Sequence, residues 1–309
     1  MKHDQVIEWL LAGDVSVEFQ TRRDLLDECR PDLQARIATE GWGKQFLDAR
    51  NPKGGWGQSY YQPKWVSSHY TLLDLCNLEM APDVQEVRSD IAHYAKAEKS
   101  KTDGGILPIG NEGKSDVCVN GMFLNFASYF GADQNDLTSI VDFILDQHMA
   151  DGGFNCRSNR AKVKHSSLHS TCSVLEGFHR YLKSGYTYRA NEVQSSMKAA
   201  DEFMFLHQLF ISDRNGEVIN DKFLRFSYPY RWYYSILRAL DYLQKAENDW
   251  DDRLQPAIDV LRSKRRDVGR WNVQAKIPGQ SHFVMERAGQ PSRWVTLFCM
   301  RVFKHFGVE

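Results

Sequence analysis

Ile144-Leu-Asp-Gln-His-Met-Ala-Asp-Gly-Gly-Phe154 closes one helical pattern, turns, and leads into a second. Upstream, Ile140, Val141, Phe143 and Ile144 recur at i, i+3 and i+4, which puts them on one helix face. Downstream, Leu168–Tyr181 is apolar around most of its surface. Between them, Gly152 and Gly153 let the backbone take φ > 0 as it reverses. A helix with one polar face belongs in an outer layer. A helix apolar nearly all round must be covered on both sides, so it belongs in an inner one.

The same turn recurs. Asn51-Pro-Lys-Gly-Gly-Trp-Gly57 and Thr102-Asp-Gly-Gly-Ile106 precede it, and the three Gly-Gly pairs stand about 50 residues apart, the period of a helix-pair repeat. Weaker echoes follow at Asp213-Arg-Asn-Gly216 and Asp267-Val-Gly-Arg-Trp271. The pattern predicts inner helices over 17–29, 66–78, 117–130, 168–181, 230–243 and 293–306. Outer helices alternate with them near 4–11, 31–50, 83–99, 134–149, 192–210 and 249–263. Six stacked pairs can close into a ring that leaves no unpaired end, so the expected fold is an all-α (α/α)6 toroid, one domain over 1–309. An open superhelix of pairs is the alternative. Strand signals are sparse: Val218-Ile219 and Phe223–Phe226 could form a short hairpin near 217–227.

Composition narrows the function classes. The chain has 309 residues, 42% hydrophobic and 12% aromatic, enough for a sizeable core. A formal net charge of −1 provides no global field for nucleic acid or an anionic membrane. The basic run Arg262-Ser-Lys-Arg-Arg266 closes an outer helix, where cations complement the dipole. No apolar stretch approaches the ~20 residues of a membrane span, and the first residues lack a signal-peptide core. Six scattered cysteines without C-x-x-C do not read as a disulfide framework; a reducing, cytoplasmic setting is expected.

Function is expected at the mouth of the ring, where inner helices begin and point free N–H groups at a common space. The residues there are Trp65 and His69; Asp116 and Cys118; His165 and His169; Tyr230, Arg231 and Trp232; Arg293 and Trp294. Each has a plain structural reading too. Asp116 is a natural N-cap, Cys118 a small buried hydrophobe, and His69 a core histidine. Arg231 and Arg293 follow Pro229 and Pro291, so both are expected in the first turn of an inner helix. The dipole opposes a cation there. Either an internal acid, with Glu286 and Asp116 as candidates, or an anionic ligand relieves that cost.

The 144–154 stretch resembles the repeat shared by squalene cyclases and protein prenyltransferase β-subunits, and Gln45–Gly57 resembles its looser form. The C-terminal run Gly269-Arg-Trp-Asn, Phe283-Val-Met-Glu and Pro291-Ser-Arg-Trp is similar to bacterial squalene-cyclase-like proteins without an assigned reaction. The resemblance to prenyltransferases implies a catalytic zinc held by Asp116, Cys118 and His169, a set that suits a tetrahedral site with one open place. His165-Ser-Ser-Leu-His-Ser-Thr-Cys172 departs from that family by one inserted residue, which would rotate His169 by ~100°; His165 could substitute only if the helix already starts there.

The resemblance to cyclases implies an Asp-x-Asp-Asp acid, but the run here is Asp116-Val-Cys-Val-Asn120. A thiol is too weak an acid to protonate an alkene, so squalene cyclisation by that machinery is not expected. The expected ligand is small, partly apolar, isoprenoid-like and anionic, clamped by Arg231 and Arg293. Trp65, Tyr230, Trp232 and Trp294 would line its site, and Asp116, Cys118 and His169 would carry the chemistry. A non-catalytic toroid holding a lipid or protein segment is the competing class.

Overall fold

The computed structural model describes residues 2–108, 113–161 and 163–308. In chain order its helices are α1 (Lys2–Leu11), α2 (Val15–Leu26), α3 (Pro31–Arg36), α4 (Gly41–Asp48), α5 (Ser68–Asn77), α6 (Gln85–Ala97), α7 (Val117–Tyr129), α8 (Gln134–Asp146), α9 (Ser158–Ala161), α10 (Leu168–Lys183), α11 (Ala190–Leu206), α12 (Ile236–Lys245), α13 (Gln255–Ser263) and α14 (Arg293–Phe306). The fold is all-α, as the periodicity predicts. Among the described residues no helix is long and apolar enough to cross a membrane. Extended pairing is limited there to isolated bridges. The hairpin expected within 217–227 does not form. Val218 bridges back to Ile211, and Phe223 lies on a 3-10 turn, Asp221–Leu224, whose first N–H groups Asn220 caps through Lys222 N.

The chain divides into two compact units, one of residues 1–49, 77–81 and 207–309, the other of 50–76 and 82–206. In the second unit α7 and α10 pack backbone to backbone. A Cβ on Gly121 would lie 2.5 Å from the Ser173 carbonyl oxygen, and one on Gly177 would lie 2.3 Å from that of Gly121. Only glycine allows this approach. Because the helices lie so close, their starts and the loops feeding them are neighbours.

The Gly-Gly turns share one construction. The first glycine has φ of +103°, +75° and +92° at positions 54, 104 and 152. The residue after each pair then donates its backbone N–H to a side-chain oxygen on the following inner helix: Trp56 to Ser68, Ile106 to Asn120, Phe154 to Thr171. Trp271 does the same to Thr296 in the other unit. The aspartates of the Asp-Gly-Gly turns add a second tie, since Asp103 accepts the N–H and hydroxyl of Ser115, and Asp151 those of Ser166. Each turn thus fixes where the next inner helix begins, and buried backbone donors that would cost stability if left unpaired are satisfied.

In the first unit, α14 packs against α2 and α12, bringing the last helix onto the second. A buried charge network lies at this contact. The Arg301 guanidinium meets Asp241 of α12 and, at 3.0 Å, Asp24 of α2, with Gln20 at 3.2 Å. Lys245 adds a bridge to Asp241, and Arg23 pairs with Glu79. Burial works to raise the Asp241 pKa, but Arg301 and Lys245 outweigh it and hold the carboxyl below its usual range. Removing one member of such a network leaves an uncompensated buried charge, a loss of about 3–5 kcal/mol.

Several expected boundaries shift, among them the start of α13 at Gln255 and the end of α11 at Leu206, and two of the changes matter most. The outer helix over 31–50 is broken into α3 and α4 at Gly41, φ +58°, where the Trp42 N–H turns to the Asp14 carboxylate. The inner helix expected from Tyr230 begins only at Ile236. Arg231 takes φ +56°, incompatible with a helix, and Ser235 caps the start by accepting from Arg238 N. Arg231 and Trp232 therefore precede the helix instead of opening it.

Candidate functional site

The candidate residues fall into two groups, one in each unit. In the second unit, the starts of α5, α7 and α10 carry Trp65, His69, Asp116, Cys118, His165 and His169.

His69 is fully buried among the rings of Tyr60, Tyr61, Tyr70 and Phe126, with centroids 4.9–5.7 Å away. Its Nδ1 shares a hydrogen bond of 2.7 Å with the Tyr60 hydroxyl. Its Nε2 is buried and has no hydrogen-bond partner among the described residues. Burial pulls the imidazole pKa down to about 3, so His69 is neutral at physiological pH and takes no part as a cation. Trp65 packs edge-on to Tyr70 at 4.7 Å and has φ +76°, a strained conformation for a bulky residue.

Asp116 occupies the N-cap position of α7 by its backbone, but its side chain makes no capping hydrogen bond. The carboxylate instead acts on the Tyr61 hydroxyl, which is 2.5 Å from that of Tyr70. Burial pushes Tyr61 up to about 12; the bond to Tyr70 pulls it down, and the Asp116 charge adds to the rise. The Asp116 carbonyl accepts from both the backbone and side-chain amide of Asn120, which steadies the first turn.

Cys118 meets Cys156, 38 residues further on, with Cα atoms 6.0 Å apart, as a disulfide pair. Cys156 lies on the loop between Phe154 and α9, and no spacing in the sequence joins it to Cys118. Ser170 completes the group: its hydroxyl donates to the Cys156 sulfur at 3.2 Å and accepts the Cys156 N–H at 3.1 Å. Among the described residues no three His, Cys, Asp or Glu side chains converge as a metal would require. The set Asp116, Cys118 and His169 is not assembled for zinc in this geometry, because the sulfur is turned to Cys156. His169 is half-buried on α10, and His165 is exposed on the loop before it. Tyr61, Tyr70, Cys156 and Ser170 are the neighbours that sequence reading missed.

In the first unit, Trp294 is fully buried. It stacks on Tyr228 at 4.9 Å and lies 6.3 Å from Trp42 and 5.7 Å from Phe298. The Tyr230 hydroxyl donates to the Asn77 side chain at 2.9 Å, and the Arg238 guanidinium covers the Tyr230 ring. Trp232 is half-exposed and stacked on Tyr233. Arg231 is buried, and its charge, after burial itself, helps hold His282 down at about 4.

Arg293 does open α14, and the structure shows what relieves its position. The Glu286 carboxyl accepts the N–H groups of Arg293 at 2.7 Å and Trp294 at 3.2 Å, together with the Ser292 hydroxyl. The Arg293 guanidinium turns to α1, where its Nε donates to the Trp9 carbonyl at 3.0 Å and it lies 4.7 Å from the Trp9 ring. The internal acid expected from sequence is thus Glu286, and it acts on the helix start.

No family model matches this chain, and no curated protein matches it. Among solved structures, the chain is similar to the type II terpene cyclase MstE from Scytonema. Its apo form aligns over 88% of this chain and 96% of that one, at 16% identity and a TM-score of 0.35. MstE complexes with the product merosterolic acid A and with the substrate geranylgeranyl dihydroxybenzoate align over 89% and 96%, at the same identity and TM-score.

Proposed function

We propose that this chain is a terpenoid-cyclase-like and prenyltransferase-like protein. It binds a small, partly apolar, isoprenoid-like ligand at the helix starts of its second unit, with Asp116 as the acid/base group. The observation that supports this is the behaviour of Asp116. It stands where an aspartate ordinarily caps a helix, yet its side chain makes no capping bond and lies within electrostatic reach of Tyr61. Tyr61, Tyr70, Trp65 and His69 supply ring faces and edges nearby, the surroundings that hold an apolar chain or a developing cation. Zinc has no step in this reading, because the donor set does not converge. An anionic end of the ligand is not assigned to Arg293, whose guanidinium serves Trp9.

The test is titration of the purified protein with geranylgeraniol and with geranylgeranyl diphosphate, followed by calorimetry and product analysis. Saturable binding is expected, weakened about tenfold by Tyr70→Leu, or about 1.4 kcal/mol. Asp116→Asn should retain binding while abolishing any conversion. Preference for the diphosphate would restore the anionic half of the ligand. No saturable binding of either compound overturns the proposal. A non-catalytic module that holds a lipid or protein segment is the second reading. It is favoured by the burial of Trp65, His69, Tyr230 and Trp294, which pack against the protein's own side chains; binding without conversion would support it.

A further inference from the structure

We infer that Cys118 and Cys156 form a reversible dithiol–disulfide couple, with Cys156 as the reactive sulfur and a low-molecular-weight disulfide of the glutathione type as its co-reactant. The inference is independent of the ligand reading above. Their Cα separation of 6.0 Å lies within the span a disulfide bridges without backbone movement. Both residues are half-buried, so a small thiol reagent can reach them, whereas Cys76, Cys172 and Cys299 are buried.

The two sulfurs are not equivalent. The Cys156 sulfur accepts the Cys118 backbone N–H at 3.2 Å and the Ser170 hydroxyl at 3.2 Å. That N–H belongs to the first turn of α7, a helix of 13 residues whose early N–H groups have no intrahelical partner. Two donors and the positive end of a helix favour negative charge on Cys156, the arrangement that makes a thiol nucleophilic. Asp116, two residues before Cys118, opposes this, so the hydrogen bonds carry the asymmetry.

The exchange balances as follows. The Cys156 thiolate attacks one sulfur of the small disulfide; that S–S bond breaks, and one small thiolate leaves and takes a proton from solvent. Cys118 then loses its proton and attacks the Cys156 sulfur of the mixed disulfide. The Cys118–Cys156 bond forms as the second small thiol departs. Two protein thiols are oxidised, and one small disulfide is reduced to two thiols. The closed bridge ties the loop before α9 to the start of α7.

The full-length protein is reduced, freed of reductant, and treated with iodoacetamide or with glutathione disulfide before peptide mass spectrometry. Cys156 should alkylate about tenfold faster than the exposed Cys29. Glutathione disulfide should yield the Cys118–Cys156 bridge, and dithiothreitol should reopen it in the native state. Cys118→Ser should accumulate glutathione on Cys156, because the resolving sulfur is gone. The inference is overturned if Cys156 reacts no faster than Cys29 or if Cys118→Ser takes up no glutathione. It is equally overturned if the native bridge resists excess dithiothreitol, which would make it a structural staple. The alkylation of wild-type protein decides the matter even if a variant fails to fold.

Discussion

The starts of α14 and α7 solve one problem in opposite ways. Both are inner helices with unpaired N–H groups and an acid at hand. At α14 the acid and the hydroxyl beside the helix start are spent on it. Ser292 accepts from Val295 N, Glu286 takes the N–H groups of Arg293 and Trp294, and Arg293 leaves for Trp9. At α7 the acid at the N-cap position does not cap, and the Cys118 N–H goes to a sulfur. A helix start that spends its own acid on capping is structural, whereas one whose acid does not cap and whose first turn meets a cysteine pair is equipped for chemistry.

The largest expected effect comes from removing α14 altogether. A stop codon at Arg293 uncovers the apolar faces of α2 and α12 and strips Asp241 and Asp24 of Arg301. The product should be insoluble or lack a cooperative melting transition. A soluble truncation with a sharp calorimetric transition would show that α14 is dispensable.

Next in size is Glu286→Ala, which leaves two backbone donors and a hydroxyl without their acceptor. Chemical denaturation should show a loss of about 2–4 kcal/mol. Burial raises the Glu286 pKa despite its three hydrogen bonds. Its protonated form is therefore favoured by folding. That contribution is complete below the ordinary carboxyl pKa and is lost as pH rises through the raised one, so the penalty of Glu286→Gln should shrink towards neutral pH.

His69 gives an effect of similar or smaller size with the opposite sign. Its folded pKa of about 3 lies below the ordinary imidazole value of 6.5. The stability it contributes is present above 6.5 and falls as pH drops towards 3, by about 1.4 kcal/mol for each pH unit. His69→Phe should flatten the decline in Tm between pH 6.5 and 5. An unchanged profile would mean that the imidazole is not buried neutral.

Asp116→Asn should move stability least, by under about 0.5 kcal/mol, because no capping bond is lost. A loss of 1–2 kcal/mol, the usual cost of removing an N-cap, would place Asp116 with Glu286 and erase the contrast between the two helix starts.

How much of this was open to sequence reading depends on how local each feature is. Helix pairs and Gly-Gly turns follow from the 3.6-residue periodicity and from φ > 0, both properties of a few neighbouring residues. All six inner helices are present, and α7 and α14 begin at the residues predicted. The late start of α12 was hidden because Arg231 in a left-handed conformation has no signature in an apolar run.

The sequence by itself determined that this protein is a set of helix pairs, and which faces of them are buried. Only the tertiary structure decided what the polar residues at the helix starts do. Arg293 finds Trp9 across 284 positions, and Cys118 finds Cys156 across 38. Asp116 leaves its own helix uncapped, and its charge reaches Tyr61. Periodicity records the face a residue occupies. It does not record which distant element that face meets, and at these sites the partner sets the chemistry.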